Sequence, residues 1–264
     1  MKPIISVIGS CRVHNPISRL KKADLINTNN HLLGDFCHAP REALQKIRFA
    51  NKRLSIPHNI YEYVFGRNEL KDDERADFSN TTMFVIEFSS VRRLCFDDIE
   101  LQLNFVSDNL VGRWGVEDWL SKISKITRHS PQGKKNKVEC DANVPDEIKM
   151  ILNNITMSLE SDRVICDTMD KIVSYVRKPV IFVGHFNVKK DDGSLVLDRN
   201  RLNNCMSEHA KKNGYYFFDP MELISIYGQG VALRDTNHWN SNFELIAGHY
   251  LYQNYISKIH QGLI

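Results

Sequence analysis

Two short segments at opposite ends of the chain carry residue types that together can do nucleophilic acyl chemistry. Near the start, the apolar run Ile4-Ile5-Ser6-Val7-Ile8 stops at Gly9 and presents Ser10, Cys11 and Arg12. Near the end, Asp235-Thr236-Asn237-His238 precedes Trp239 and a stretch of amphipathic pattern. A serine attacks a carbonyl only when a neighbouring base takes its proton, and a histidine held by a carboxylate is such a base. The predicted catalytic set is therefore Ser10 as nucleophile, His238 as general base and Asp235 as its orienter. Each motif also has a plainer reading. Gly9-Ser10 can simply cap a strand-to-helix turn, and Asp235 can cap a turn beside an exposed His238.

Whether the two segments meet depends on the elements between them. Short apolar runs that end at turn residues predict buried parallel strands at Ile4–Ile8, Met83–Phe88, Pro179–Val183 and Tyr215–Phe218, with a weaker one between Leu25 and Leu33. Apolar residues at helical spacing predict helices at Arg41–Leu54, Pro145–Leu159, Asp162–Val176, Leu202–Asn213 and Phe243–Ile259. Strands alternating with helices predict a three-layer α/β/α sandwich around a parallel, flavodoxin-like sheet. Ligands of such sheets bind beyond the carboxyl ends of the strands. Ser10, Gly34, Ser89, Ser90, His185 and Asn187 would then share one rim. One stretch, about 92–143, breaks the rhythm and reads as an insertion in a single domain spanning 1–264. It is helical over Val116–Ile126, then a loop carrying the basic run Arg128–Lys137.

With Ser10 after the first strand and Asp235-x-x-His238 before the last helix, the chain resembles the SGNH (GDSL-type) hydrolase superfamily. The resemblance implies that Gly34, in Leu33-Gly34-Asp35, supplies an oxyanion amide together with the amide of Ser10. It also implies a Gly-x-Asn block after the third strand. Here Ser89-Ser90 stands in that place, so a serine hydroxyl would replace the asparagine, while Asn187 follows the fourth strand. The Gly9-Ser10-Cys11 start is similar to a Gly-Ser-Cys branch and to SGNH-like proteins of capsule and surface-polysaccharide biosynthesis. The implied activity is ester hydrolysis or O-acyl transfer on an acylated, in particular acetylated, glycan or small ester. Two alternatives stand beside it: a Cys11-dependent enzyme using a coenzyme A thioester, and a non-catalytic glycan- or partner-binding protein. Arg12 is a candidate for holding a substrate carboxylate or phosphate, against an ion pair at the sheet edge.

Composition narrows the field. The 35 basic and 32 acidic residues give a net charge of only +3, too mild to argue for nucleic acid. The six cysteines form no Cys-x-x-Cys pair and read as reduced thiols, and no metal motif or phosphate-binding glycine loop is present. No cofactor is expected apart from coenzyme A as an acyl donor. No apolar run approaches the ~20 residues of a membrane span, and no secretory leader is visible, so a cytoplasmic location is expected. The oligomeric state is left open.

Overall fold

The computed structural model describes residues 1–29, 36–70, 78–116, 118–119, 121–123, 143–190, 192–195 and 197–264. Gly34 and the basic run Arg128–Lys137 lie outside the described residues. In chain order the strands are β1 (Ile4–Ile8), β2 (Asn27–Thr28), β3 (Met83–Glu87), β4 (Arg92–Phe96), β5 (Ile99–Leu101), β6 (Ile155–Leu159), β7 (Val180–Val183), β8 (Tyr216–Phe218), β9 (Leu233–Asp235) and β10 (His238–Trp239). The longer helices are α1 (Cys11–Lys22), α2 (Pro40–Ala50), α3 (Asp146–Asn154), α4 (Asp162–Val176), α5 (Leu197–Asn213), α6 (Pro220–Tyr227) and α7 (Glu244–Leu251).

The main sheet has the order β2-β1-β3-β7-β8, every pairing parallel. This is the doubly wound, flavodoxin-like arrangement expected from the strand-helix alternation. Its two faces are covered by different helices. Ile5, Val7, Met83, Val85, Ile181 and Val183 face Val13, Ile17 and Leu20 of α1 and Leu251 of α7. Ile8, Phe84, Ile86 and Phe182 face Ala43 and Ile47 of α2, Ile165 and Met169 of α4, and Leu202 and Met206 of α5. With both faces dry, the central strands become near-continuous apolar runs. All five residues of β3 are buried, and one of them is charged: Glu87, at its carboxyl end.

A smaller antiparallel sheet, β5-β4-β6, stands apart with its own core of Phe65, Phe96, Leu101, Trp119, Leu152 and Ile155. It corrects the expected helix at Pro145–Leu159. The helix ends at Asn154, and Ile155-Thr156-Met157-Ser158-Leu159 pairs with β4 from Phe96 back to Arg92. Those five residues alternate apolar and polar, the period-two pattern of a strand, which a helical window had absorbed. The departure from the main fold therefore runs from Arg92 to Leu159, and it is built around a sheet.

Candidate active site

The chain leaves β1 for β2 on one side and returns through β3 on the other, so the topological switch lies between β1 and β3. That crevice is where open α/β sheets bind ligands. A cavity of about 430 Å3 opens there, and Ser10, Cys11, Arg12, His38, Ser89, Ser90, Asn104, His185 and His238 contribute to its wall. The two terminal motifs thus meet in one cavity, as their spacing alone could not have required.

The turn after β1 is tight because Gly9 lacks a side chain. A Cβ there would sit 2.7 Å from both Glu87 Cβ and Val13 Cγ2. Ser10 then caps α1: its Oγ accepts the Arg12 amide at 3.3 Å. Its hydroxyl proton is directed elsewhere. Ser10 Oγ donates to Glu87 Oε2 at 2.7 Å, and the Ser10 amide donates to the same oxygen at 2.8 Å. Arg12 Nε donates to Glu87 Oε1, closing a buried ion pair. Burial alone would raise the Glu87 carboxyl, but Arg12 and the two Ser10 donors outweigh it and hold it below its usual value. Ser10, only 2 % exposed, donates its hydroxyl hydrogen bond to a carboxylate that is a poor base. Cys11 is the first residue of α1, half-buried, and lines the cavity. Burial raises its thiol, against the pull of Arg12, so at neutral pH it is a thiol that needs a base.

A histidine of the same cavity stands on the β9-β10 hairpin. His238 Nδ1 lies 2.8 and 2.9 Å from the two oxygens of Asp235, and the Asn237 amide donates to Asp235 Oδ1 at 2.7 Å. Desolvation works against ionisation of Asp235, yet the Asn237 amide and His238 leave its carboxyl below the ordinary value. The hairpin is fixed by buried groups rather than by its own length. Arg12 Nη1 donates to the Asn237 carbonyl at 3.1 Å, and Arg199 of α5 reaches both the Thr236 carbonyl (2.8 Å) and the Asn237 side chain. Pro16 supplies a further anchor. Having no N–H, it leaves the Arg12 carbonyl without its normal helical donor, and Trp239 Nε1 donates to that oxygen at 3.0 Å. Behind the hairpin, buried Glu244 at the start of α7 takes Asn15 and Arg19 of α1.

Other predicted residues fall differently. Arg12 is committed to Glu87 and Asn237 and is 8 % exposed, so it is the buried ion pair of the two readings, not a free substrate clamp. The Ser10 amide serves Glu87 and is not available to an oxyanion. The amides of Ser89 and Ser90 both donate to the His38 carbonyl, at 2.9 and 3.1 Å, so any help from these residues must come from a hydroxyl. Ser90 Oγ accepts the Arg92 amide, whereas Ser89 Oγ lies 2.8 Å from His38 Nδ1. Asn187 turns away to donate to Asn200 on α5. His185 is buried, its backbone clamped by Asn203, and burial together with Arg12 and Arg199 keeps its ring neutral. Glu87 and Asn104 were not anticipated. A carboxylate inside an otherwise apolar strand was a visible signal for the first; none marked the second.

The family model for the TviD N-terminal domain matches residues 3–254. The chain belongs to the TviD N-terminal domain family. One curated relative is the Vi polysaccharide biosynthesis protein TviD of Salmonella typhi, 24 % identical over 254 residues. The match covers 90 % of this chain but 30 % of that relative, so the chain spans under a third of its length. The expected tie to surface-polysaccharide biosynthesis proteins is thereby met. Among solved structures, a member of the lipolytic G-D-S-L family from Veillonella parvula aligns with a TM-score of 0.47 at 9 % identity, over 96 % of this chain and 98 % of that one. No helix among the described residues is long and apolar enough to cross a membrane.

Proposed function

We propose that the chain moves an acyl group between an O-acylated glycan and water or a second hydroxyl, through a thioester on Cys11. The observation that carries this is the division of labour at the start of α1. Ser10 spends its hydroxyl proton on Glu87, while the half-buried thiol of Cys11 faces the cavity that His238 also lines. The nucleophile in this reading is Cys11 in place of Ser10, with His238 and Asp235 in the roles their spacing suggested. The glycan substrate is inferred from the relationship to a polysaccharide biosynthesis protein. A cytoplasmic location, where thiols stay reduced, suits the chemistry.

In the first half-reaction His238 Nε2 takes the Cys11 proton as Sγ attacks the acyl carbonyl. The proton then passes to the departing alcohol, leaving the acyl thioester. In the second, water or a sugar hydroxyl gives its proton to His238 and attacks the thioester, and Cys11 leaves as thiol. Asp235 holds the ring through Nδ1 and stabilises the imidazolium in both. An oxygen ester and a coenzyme A thioester would load the same acyl-enzyme, so the assay should offer both. The test is mass spectrometry of protein quenched during turnover of a chromogenic acetyl ester or acetyl-coenzyme A, with Cys11→Ala, Cys11→Ser and Ser10→Ala in parallel. An acetyl group on Cys11, and activity abolished in Cys11→Ala, is expected. Full activity in Cys11→Ala with the adduct on Ser10 would return the nucleophile to Ser10, and no turnover by wild type would remove the enzymatic reading.

A further inference from the structure

The acyl transfer just proposed develops negative charge on the carbonyl oxygen, and three of the backbone amides at this rim are already engaged. The Ser10 amide goes to Glu87, and those of Ser89 and Ser90 go to the His38 carbonyl. A different donor stands at the same rim. His38 Nδ1 lies 2.8 Å from Ser89 Oγ, and His38 Nε2 lies 3.4 Å from Asn104 Nδ2. With the Asn104 amide nitrogen turned to Nε2, as the structure has it, that nitrogen donates and Nε2 is the bare, accepting nitrogen of the ring. His38 is neutral at physiological pH, its value lowered to about 4 by burial and then by Arg12. The single ring proton therefore resides on Nδ1 and points at Ser89 Oγ. Ser89 accepts that bond and keeps its own proton, for which no other acceptor is found among the described residues.

We infer that Asn104, through the tautomer it imposes on His38, turns the Ser89 hydroxyl proton toward the cavity as the oxyanion donor of this site. This rests on the reading of the cavity as an acyl-transfer site. Ser89 is the catalytic residue, since it touches the reacting oxygen. His38 and Asn104 are positioning residues. The arrangement is rigid where it matters: the His38 amide donates to buried Glu42 at 2.9 Å, and the His38 carbonyl ties down the Ser89-Ser90 turn. It also gives the β4–β6 region a role. Asn104 follows β5, so the segment that interrupts the main fold supplies the group that sets the proton. The Ser89-Ser90 turn after β3 is where the family pattern expected an asparagine, and here the asparagine arrives from elsewhere and acts one hydrogen bond further out.

The opposite tautomer would make a different machine. With the proton on Nε2, Nδ1 would accept from Ser89 and activate it as a nucleophile, so the two cases separate cleanly. The 15N shifts of His38 at neutral pH, in labelled whole chain, read the tautomer without reference to activity. A protonated Nδ1 and bare Nε2 are expected in wild type, with reversal in Asn104→Asp, whose carboxylate can only accept. In turnover, Ser89→Ala should lower kcat by about 10²–10³-fold, the effect of losing one oxyanion donor, with little change in KM. Alkylation of Cys11 by iodoacetamide should keep its rate and pH profile in that variant, and Ser89→Thr should recover most of kcat. A protonated Nε2 in wild type, or kcat within twofold of wild type in Ser89→Ala while Cys11→Ala is dead, overturns the inference and leaves the Cys11 reading standing. Fluorophosphonate attachment to Ser89 overturns it in favour of a serine nucleophile. Full activity in Cys11→Ala brings down the underlying reading and this one together.

Discussion

The two walls that carry the terminal motifs are built in opposite ways. On the β1–α1 side, Ser10, Arg12 and Glu87 are all within 8 % of complete burial and share a closed set of hydrogen bonds. On the hairpin side, the Asp235 and His238 side chains are 44 % and 41 % exposed, and their contact is between neighbours three residues apart. An exposed pair of this kind contributes little to stability, about 0–1 kcal/mol. A buried pair is different: its desolvation cost makes it a weak source of net stability, but removing one partner strands a charge in the core. In the proposed reaction the buried wall sets the geometry and the exposed one carries the proton. Arg12 joins them, because the guanidinium that neutralises Glu87 also holds the Asn237 carbonyl.

The sharpest way to break this contrast is on the buried side. Arg12→Met leaves Glu87 unpaired and should destabilise the fold by about 3–5 kcal/mol, read as a lowered denaturation midpoint in urea, with activity lost because the hairpin is released. Stability unchanged within 0.5 kcal/mol would mean that the pair is not the frame described. On the exposed side the opposite signature is expected. His238→Ala should lower kcat by about 10²–10⁴-fold while the same urea titration moves by no more than about 0.5 kcal/mol.

A third prediction concerns two buried acids, Glu42 in the cavity wall and Glu160 away from it. Burial raises Glu42 to about 7 and Glu160 to about 8, against 4.5 for a free glutamate. Glu160 has the weaker support, since neither carboxylate oxygen has a hydrogen-bond partner among the described residues and Arg41 approaches only to 3.7 Å. Because the folded state holds these protons where the unfolded chain has released them, stability is favoured at low pH and lost as pH rises through the folded values. Each group loses about 1.4 kcal/mol per pH unit within that window. Between pH 6.5 and 8.5 the unfolding free energy should fall by about 2–3 kcal/mol, and Glu160→Gln should flatten most of that slope. A slope that survives in Glu160→Gln would place its origin elsewhere. The smallest effect tests the link between the walls. Trp239→Phe keeps the ring against Phe186 and Phe243 but removes the bond to the Arg12 carbonyl, and should cost about 1 kcal/mol. Its kcat should fall several-fold if that bond helps to fix the hairpin, and not at all if Arg12 and Arg199 suffice.

Much of this was legible before any coordinates. The apolar runs ending at Gly9, Ser89 and Gly184 mark strands β1, β3 and β7 because a strand buried on both faces admits little else. Asp235-x-x-His238 is a local contact, three residues in reach of each other, so sequence spacing suffices to propose it. Ile155–Leu159 was misread because a helical window overlaps a five-residue alternation, and only pairing with β4 separates the two. The proposed choice of Cys11 over Ser10 turns on a partner 77 residues from the serine, Glu87, which accepts the hydroxyl hydrogen bond. Pro16 was visible inside α1, but its consequence, a helix carbonyl left free for Trp239, requires the partner to be in place.

By itself, then, the sequence determined what short-range chemistry can determine: alternation of elements, a sheet with a polar rim, a histidine held by its own neighbouring carboxylate, and a serine and a thiol side by side at a helix start. The tertiary structure brought Glu87 onto the serine hydroxyl. Hydrogen-bond capacity is finite, and a buried donor is claimed by whatever acceptor the fold brings within reach. Glu87 and Asn104 arrive from two separate stretches of chain, and no spacing rule connects them to Ser10 or His38.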